Sequence, residues 1–176
     1  MKIAKYISAI CLSLLIFSAC ESDLDKVYYN ESEVTPAVLS GIADTYVLDA
    51  NKAQTIAIEF KWTNPQAGYT AQITNSLQMD LKSKNFGKAI TLYSSTEEGP
   101  YDITTLDLNS KIMKLLQSYE MEVTVEPYDF EFRIASSISD AVDSFYSNVE
   151  SAQITPFIGE PEYPKVYLPG AYCGWG

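Results

Sequence analysis

Thr70-Ala-Gln-Ile-Thr-Asn-Ser-Leu-Gln-Met-Asp-Leu-Lys82 alternates apolar and polar residues along most of its length. Ala71, Ile73, Leu77, Met79 and Leu81 share one face; Thr70, Gln72, Thr74, Gln78 and Asp80 share the other. Side chains of a strand point to opposite faces with period two, so this pattern predicts an antiparallel strand with one wet face. Working outward, Thr55 to Trp62 repeats the pattern, with Ile56, Ile58, Phe60 and Trp62 against Thr55, Glu59 and Lys61. Asn64-Pro-Gln-Ala-Gly68 supplies the turn between the two runs. Further runs follow at Lys88 to Ser94 and at Tyr119 to Glu126, the latter with Tyr119, Met121, Val123 and Val125 on one face. Past Pro127 the parity flips, and Tyr128, Phe130, Phe132 and Ile134 alternate with Asp129, Glu131 and Arg133. Proline at a phase change predicts a bulge or a new strand. Ser147 to Pro156 is the expected closing strand.

One helix is expected, Asn109 to Ser118, capped by Asn109 or Ser110 and apolar at Ile112, Leu115 and Leu116. Several short strands with one short helix predict an all-β fold. The expected architecture is an immunoglobulin-like or fibronectin type III-like β-sandwich over residues 36–157. Trp62, at a strand end, is expected to pack in the core against the opposite sheet.

The N-terminus is of another kind. Lys2 and Lys5 precede the apolar run Ile7 to Phe17, which closes on Ser18-Ala19-Cys20. A basic start, a short apolar stretch and small residues at the cleavage point predict a signal peptide over residues 1–19. The run is too short to span a bilayer, which takes about 20 apolar residues. Residues 16–20 resemble the lipobox of bacterial lipoproteins, with Phe17 where leucine is commoner; the resemblance makes Cys20 the lipid attachment site. A plain signal with a chance cysteine is the alternative. Residues 20–35 form an acidic tether. Its Glu21, Asp23 and Asp25 are either an outer-face export signal or a solvated linker. Asn30-Glu31-Ser32 fits a glycosylation acceptor by chance. Residues 158–164, rich in Pro and Gly, are an expected linker, and residues 165–176 an expected start of a truncated second, carbohydrate-binding-like module.

Composition sets bounds on partners. The chain of 176 residues carries a net charge of −11. Loss of Lys2 and Lys5 with the signal leaves 10 of the 12 basic residues against 23 acidic ones, a net charge near −13. That excludes the clustered cations needed for nucleic acid and for adsorption to anionic lipid. Membrane attachment then falls to acyl chains, each buried methylene contributing about 0.8 kcal/mol. Cys11 leaves with the signal and Cys20 takes lipid, so Cys173 has no partner for an internal disulfide.

No histidine occurs, which removes HExxH sites, Ser-His-Asp triads and histidine zinc ligands. No G-x-S-x-G elbow, P-loop or dinucleotide fingerprint appears, and Gly87-Lys88 lacks the glycine-rich approach. Two carboxylate pairs, Glu97-Glu98 and Glu120/Glu122, read as solvated surface rather than a glycosidase pair. Asp23 and Asp25 are too few for a calcium site. The expectation is a protein without enzymatic activity, metal or cofactor.

Phe60-Lys-Trp62, Leu77-Gln-Met-Asp80, Leu108-Asn109, Phe132-Arg-Ile-Ala135, Tyr146-Ser-Asn-Val149 and Val166-Tyr-Leu-Pro-Gly170 with Trp175 occur in this order after the lipobox and acidic tether. The series resembles the SusE/SusF type of outer-membrane lipoprotein from starch-utilisation systems. It implies a non-enzymatic glycan-binding lipoprotein on the surface of a Gram-negative cell, beside an outer-membrane transporter and companion lipoproteins. In that family the sandwich is the N-terminal module and carbohydrate-binding modules follow it. Cys173 departs from the opening motif. Two functions stay open: a spacer in a starch or other glycan binding and uptake system, or a sandwich that docks a transporter or fellow lipoprotein without touching sugar. Sugar stacks on exposed aromatic faces, for which Tyr172 and Trp175 are the candidates; Tyr28, Tyr29 and Tyr101 read as ordinary surface or linker packing.

Overall fold

The computed structural model describes residues 29–159. Within them the chain forms β1 (Leu39–Ser40), β2 (Thr45–Val47), β3 (Ile56–Trp62), β4 (Thr74–Leu81), β5 (Ile90–Ser95) and β6 (Tyr101–Thr104). A helix, α1 (Thr105–Ser118), then precedes β7 (Tyr128–Ser137), β8 (Phe145–Tyr146) and β9 (Glu150–Thr155). One sheet has the order β1-β3-β6; the other has β2-β9-β7-β4-β5, with β8 paired to β7. β2 runs parallel to β9, and the other pairs are antiparallel.

The alternation puts the expected residues inside. Ile58, Phe60 and Trp62 of β3, Leu77, Met79 and Leu81 of β4, and Phe130, Phe132 and Ile134 of β7 are all buried. Phe60 and Phe132 meet across the sheets with ring centroids 5.3 Å apart. Burying side chains of this size is worth about 1.5–3 kcal/mol each. α1 closes the core with Leu108, Ile112, Leu115 and Leu116, none of them exposed.

Several expectations need correction. Ile56 is 58% exposed, because a register shift between Ile56 and Ile58 against β6 breaks the alternation at the start of β3. Residues 70–73 precede the strand rather than belong to it. The segment around Asn64 to Gly68 does not close a hairpin, since β3 and β4 lie in different sheets. It carries the chain across, and Gln66 exchanges two backbone hydrogen bonds of 2.8 Å with Thr35 on the way. The helix begins at Thr105, one turn before the expected start, capped by Thr104, whose Oγ1 accepts from the Asp107 N–H at 3.2 Å. The β-branched Ile103-Thr-Thr105 conceals this start, because such residues favour strands. Asn109 is therefore not a cap; it is buried within the helix.

Tyr119 to Glu126 is not a strand. Its first residues terminate α1: the Glu120 N–H donates to the Gln117 carbonyl and the Met121 N–H to the Leu116 carbonyl, both at 3.0 Å. This pair of bonds is a Schellman ending, which requires a left-handed residue after the cap. Glu120 takes that role at φ 56°. A left-handed conformation costs a side-chain-bearing residue about 1–2 kcal/mol, part of which glycine returns as lost chain entropy. Glu120→Gly is expected to stabilise the domain by about 0.5–1 kcal/mol, read as a higher urea midpoint at unchanged slope. An unchanged or lower midpoint contradicts it.

Candidate functional site

Cys20, Asp23, Asp25, Tyr28, Tyr172, Cys173 and Trp175 lie outside the described residues, as do the signal peptide, residues 160–164 of the linker and residues 165–176. Tyr29 is described and lines a cavity of about 260 Å³ with Val34, Pro36 and Phe145. Tyr101 stacks on Tyr93 of β5, centroids 4.3 Å apart and planes 9° from parallel, and Trp62 leans on Tyr93 at 6.3 Å. These three rings join the edges of both sheets. The expected packing of Trp62 against the opposite sheet is thus made through Tyr93. Burial raises the Tyr101 hydroxyl above its ordinary pKa. Gly99 packs closely on this cluster: a Cβ there would stand 3.1 Å from both Cε3 and the backbone nitrogen of Trp62, which would have to give by a few tenths of an ångström. The indole Nε1 is buried with no hydrogen-bond partner among the described residues. Glu97 and Glu98 are exposed in the loop before β6, and Glu120 and Glu122, off any strand, share no sheet face.

Two polar clusters belong to the outer face of the larger sheet, where periodicity predicts solvent. Asp80 is the first. Its place in β4 points it outward, yet it is fully buried. Oδ1 accepts from the Leu81 N–H at 2.7 Å; Oδ2 accepts from the Lys88 N–H at 3.3 Å and the Tyr119 hydroxyl at 3.0 Å. The β4–β5 loop and the end of α1 thus converge on one carboxylate. Lys84 and Lys88 sit over the Tyr119 ring, 5.4 and 4.9 Å from its centroid.

Burial, then the bond to Asp80 and its negative charge, raise the pKa of Tyr119 above its ordinary value of 10.0. The protonated phenol is the form the fold favours, so its contribution to stability is complete below pH 10.0 and is lost as pH rises through the folded value. Chemical denaturation between pH 9 and 11 is expected to show this fall, reduced in Tyr119→Phe. Parallel curves for the two proteins contradict the assignment.

Arg133 is the second cluster and the chain's only arginine. Its guanidinium lies 4.0 Å from the Phe86 ring centroid and 3.8 Å from that of Tyr146. Its Nε donates to Gln78 Oε1 at 2.9 Å. Phe86 comes from the β4–β5 loop, where Ser83, Asn85 and Phe86 all have left-handed φ values of 65°, 51° and 55°. For Ser83 and Phe86 this costs about 1–2 kcal/mol each, asparagine tolerating it better, so the loop's shape is held by its contacts, the Lys88 N–H on Asp80 among them. Sequence reasoning passed over Arg133 as one more outward residue. The signal that could have found it is its uniqueness in a strongly acidic chain.

Two packed sheets closed by one helix define an all-β domain of the β-sandwich kind. Among the described residues no helix is long and apolar enough to cross a membrane, and no cluster of carboxylates and cysteines suits a metal ion. Residues 22–134 match the family model described as SusE outer membrane protein, and the chain belongs to that family. Membership points to the outer membrane and to a starch-utilisation system. No curated protein and no solved structure matches the chain.

Proposed function

We propose that this protein is a cell-surface lipoprotein of a polysaccharide-binding and uptake system, held in the outer membrane by acylated Cys20, with the described domain serving as a spacer and docking module. The observation that carries this reading is the family match, which begins at residue 22, two residues beyond Cys20, and runs through α1 into β7. Catalysis has no part in the reading, and sugar contact falls to carbohydrate-binding modules that follow this domain. A transporter and companion lipoproteins are the expected neighbours.

An immunoglobulin-like assignment of the sandwich has two supports. Taking β1, β3, β4, β5, β6, β7 and β9 as strands A, B, C, C′, E, F and G makes the sheets A-B-E and G-F-C-C′. At the start of β7 the Tyr128 hydroxyl donates to the Glu122 carbonyl and accepts from the Thr124 N–H, each at 3.0 Å. A tyrosine there, bonded to backbone a few residues upstream, is the tyrosine corner of such folds.

Fractionation of cells expressing the wild type and Cys20→Ser tests the anchor. The wild type is expected in the outer membrane, labelled by fatty acid and cut by protease added to intact cells, and the variant in the soluble fraction without label. A variant that stays in the membrane removes the anchor from the reading. Affinity electrophoresis of residues 21–176 in starch tests the division of labour: unretarded migration is expected, and retardation would place sugar binding in this chain.

A further inference from the structure

We propose that the guanidinium of Arg133, packed against Phe86 and Tyr146, is a binding site for a carboxylate presented by a polypeptide partner. The inference deepens the docking reading above by naming the surface and the chemistry it accepts.

Three observations carry it. First, the group is held in place without being used up. Two aromatic rings lie within 4.0 Å of it and Gln78 holds Nε, while neither Nη donates to a described residue. A fixed guanidinium with its remaining N–H groups unspent matches the two oxygens of a carboxylate, and little side-chain entropy is left to lose on binding. Second, this arginine makes no ion pair with a described residue in a chain of 23 acidic residues. Burial lowers the pKa of Arg133, against the smaller opposing influences of Tyr146 and Asp80, and the Asp80 oxygens accept from Leu81, Lys88 and Tyr119 rather than from it. Third, the packing is built at a cost, since Phe86 reaches the guanidinium from a loop with three left-handed residues that are not glycine. Strain of this sort collects at binding sites.

Lys84 and Lys88 of the loop that carries Phe86 lie over Tyr119, so the charges beside Arg133 on β7 itself choose the partner. Asp129 and Glu131 occupy the same outward register of β7 as Arg133, spaced two residues apart, or about 7 Å. They repel an acidic polysaccharide, which carries anions at every repeat. A polypeptide can place one carboxylate on Arg133 and cations beside Glu131 and Asp129. Gln78, whose Oε1 is engaged, retains its amide N–H₂ to assist.

Because there is one arginine, the ¹⁵N spectrum of the mature chain carries a single arginine Nε–H signal, a direct reporter. The probes are the peptide Ac-Lys-Gly-Glu-Gly-Lys-NH₂, its Glu→Gln counterpart, and tri-galacturonate. The Nε–H signal is expected to shift saturably with the Glu peptide in the millimolar range, at least tenfold more weakly with the Gln peptide, and less as salt rises. Arg133→Lys, which keeps the charge but lacks the planar fork, is expected to weaken Glu-peptide binding tenfold, followed by backbone amide shifts. Its unchanged spectrum elsewhere shows that it folds. Tyr146→Ala provides a second variant with Arg133 intact, and weaker binding is expected there too. Equal shifts with both peptides, no shift with either, or saturation by tri-galacturonate alone overturns the proposal. None of these outcomes alters the Cys20 fractionation, so the two readings fail separately.

Discussion

Asp80→Ala is expected to cost the domain about 2–4 kcal/mol, the sum of lost hydrogen bonds to a charged group and one stranded buried donor. The wild-type carboxylate collects the N–H groups of Leu81 and Lys88 and the hydroxyl of Tyr119. Alanine would strand the buried Leu81 N–H, at about 1–3 kcal/mol, and would remove the carboxylate's bonds to the part-buried Lys88 N–H and Tyr119 hydroxyl, which water can partly replace. The β4–β5 loop can relax towards solvent, but relaxation also withdraws Phe86 from Arg133. Asp80→Asn keeps the shape and one acceptor while turning an N–H₂ towards a donor, so an intermediate loss is expected. Urea unfolding gives both values. A loss under about 1 kcal/mol for Asp80→Ala would mean that the cluster is wet in solution and is not holding the loop.

Asn109→Ala is expected to cost about 2–4 kcal/mol, combining two lost hydrogen bonds with the stranding of a buried peptide group. Asn109 is 5% exposed, and its side-chain amide mimics a strand neighbour: Nδ2 donates to the Phe157 carbonyl at 3.1 Å while Oδ1 accepts from the Phe157 N–H at 3.0 Å. The contact ties α1 to the segment that follows β9. Without it, the Phe157 amide should exchange its hydrogen far faster, with the apolar stripe of α1 intact. Wild-type exchange at Phe157 in the variant would show that other packing holds the segment. Asn148 repeats the device, its Oδ1 accepting from the Leu39 N–H at 2.8 Å and its Nδ2 donating to the Leu39 carbonyl at 3.0 Å. That contact ties β1 of the smaller sheet to the chain between β8 and β9.

These contacts give a physical meaning to segments that carry the family resemblance. Leu77 to Asp80 supplies Gln78 and the buried carboxylate, Leu108-Asn109 the first asparagine clamp, Phe132 to Ala135 the lone arginine, and Tyr146 to Val149 both its aromatic cover and the second clamp. In each, an apolar residue marks the element while the polar neighbour makes a contact across the fold. The apolar part was legible. The polar part was not, because Asn, Gln and Asp on an outward register look the same in sequence whether they meet water or a partner 40 or 100 residues away.

The failures of periodicity have the same root. Tyr119 to Glu126 alternates as well as β3 does, yet no strand lies beside it; the helix ending takes its first residues and the Tyr128 hydroxyl holds Glu122 and Thr124. Ile56 alternates in sequence and is turned out where the register against β6 shifts. Arg133 belongs to a run whose inward set, Phe130, Phe132 and Ile134, was correct, and its outward position told nothing of the two rings packed against it.

What the amino-acid order settled unaided is the inward face of β3, β4 and β7 and the all-β class, because side-chain parity is a local property of an extended chain. Which strands became neighbours, why Asp80 is buried, and how one arginine came to pack against two rings were decided only in three dimensions. Those outcomes depend on hydrogen-bonding partners far apart along the chain, and no local period records them.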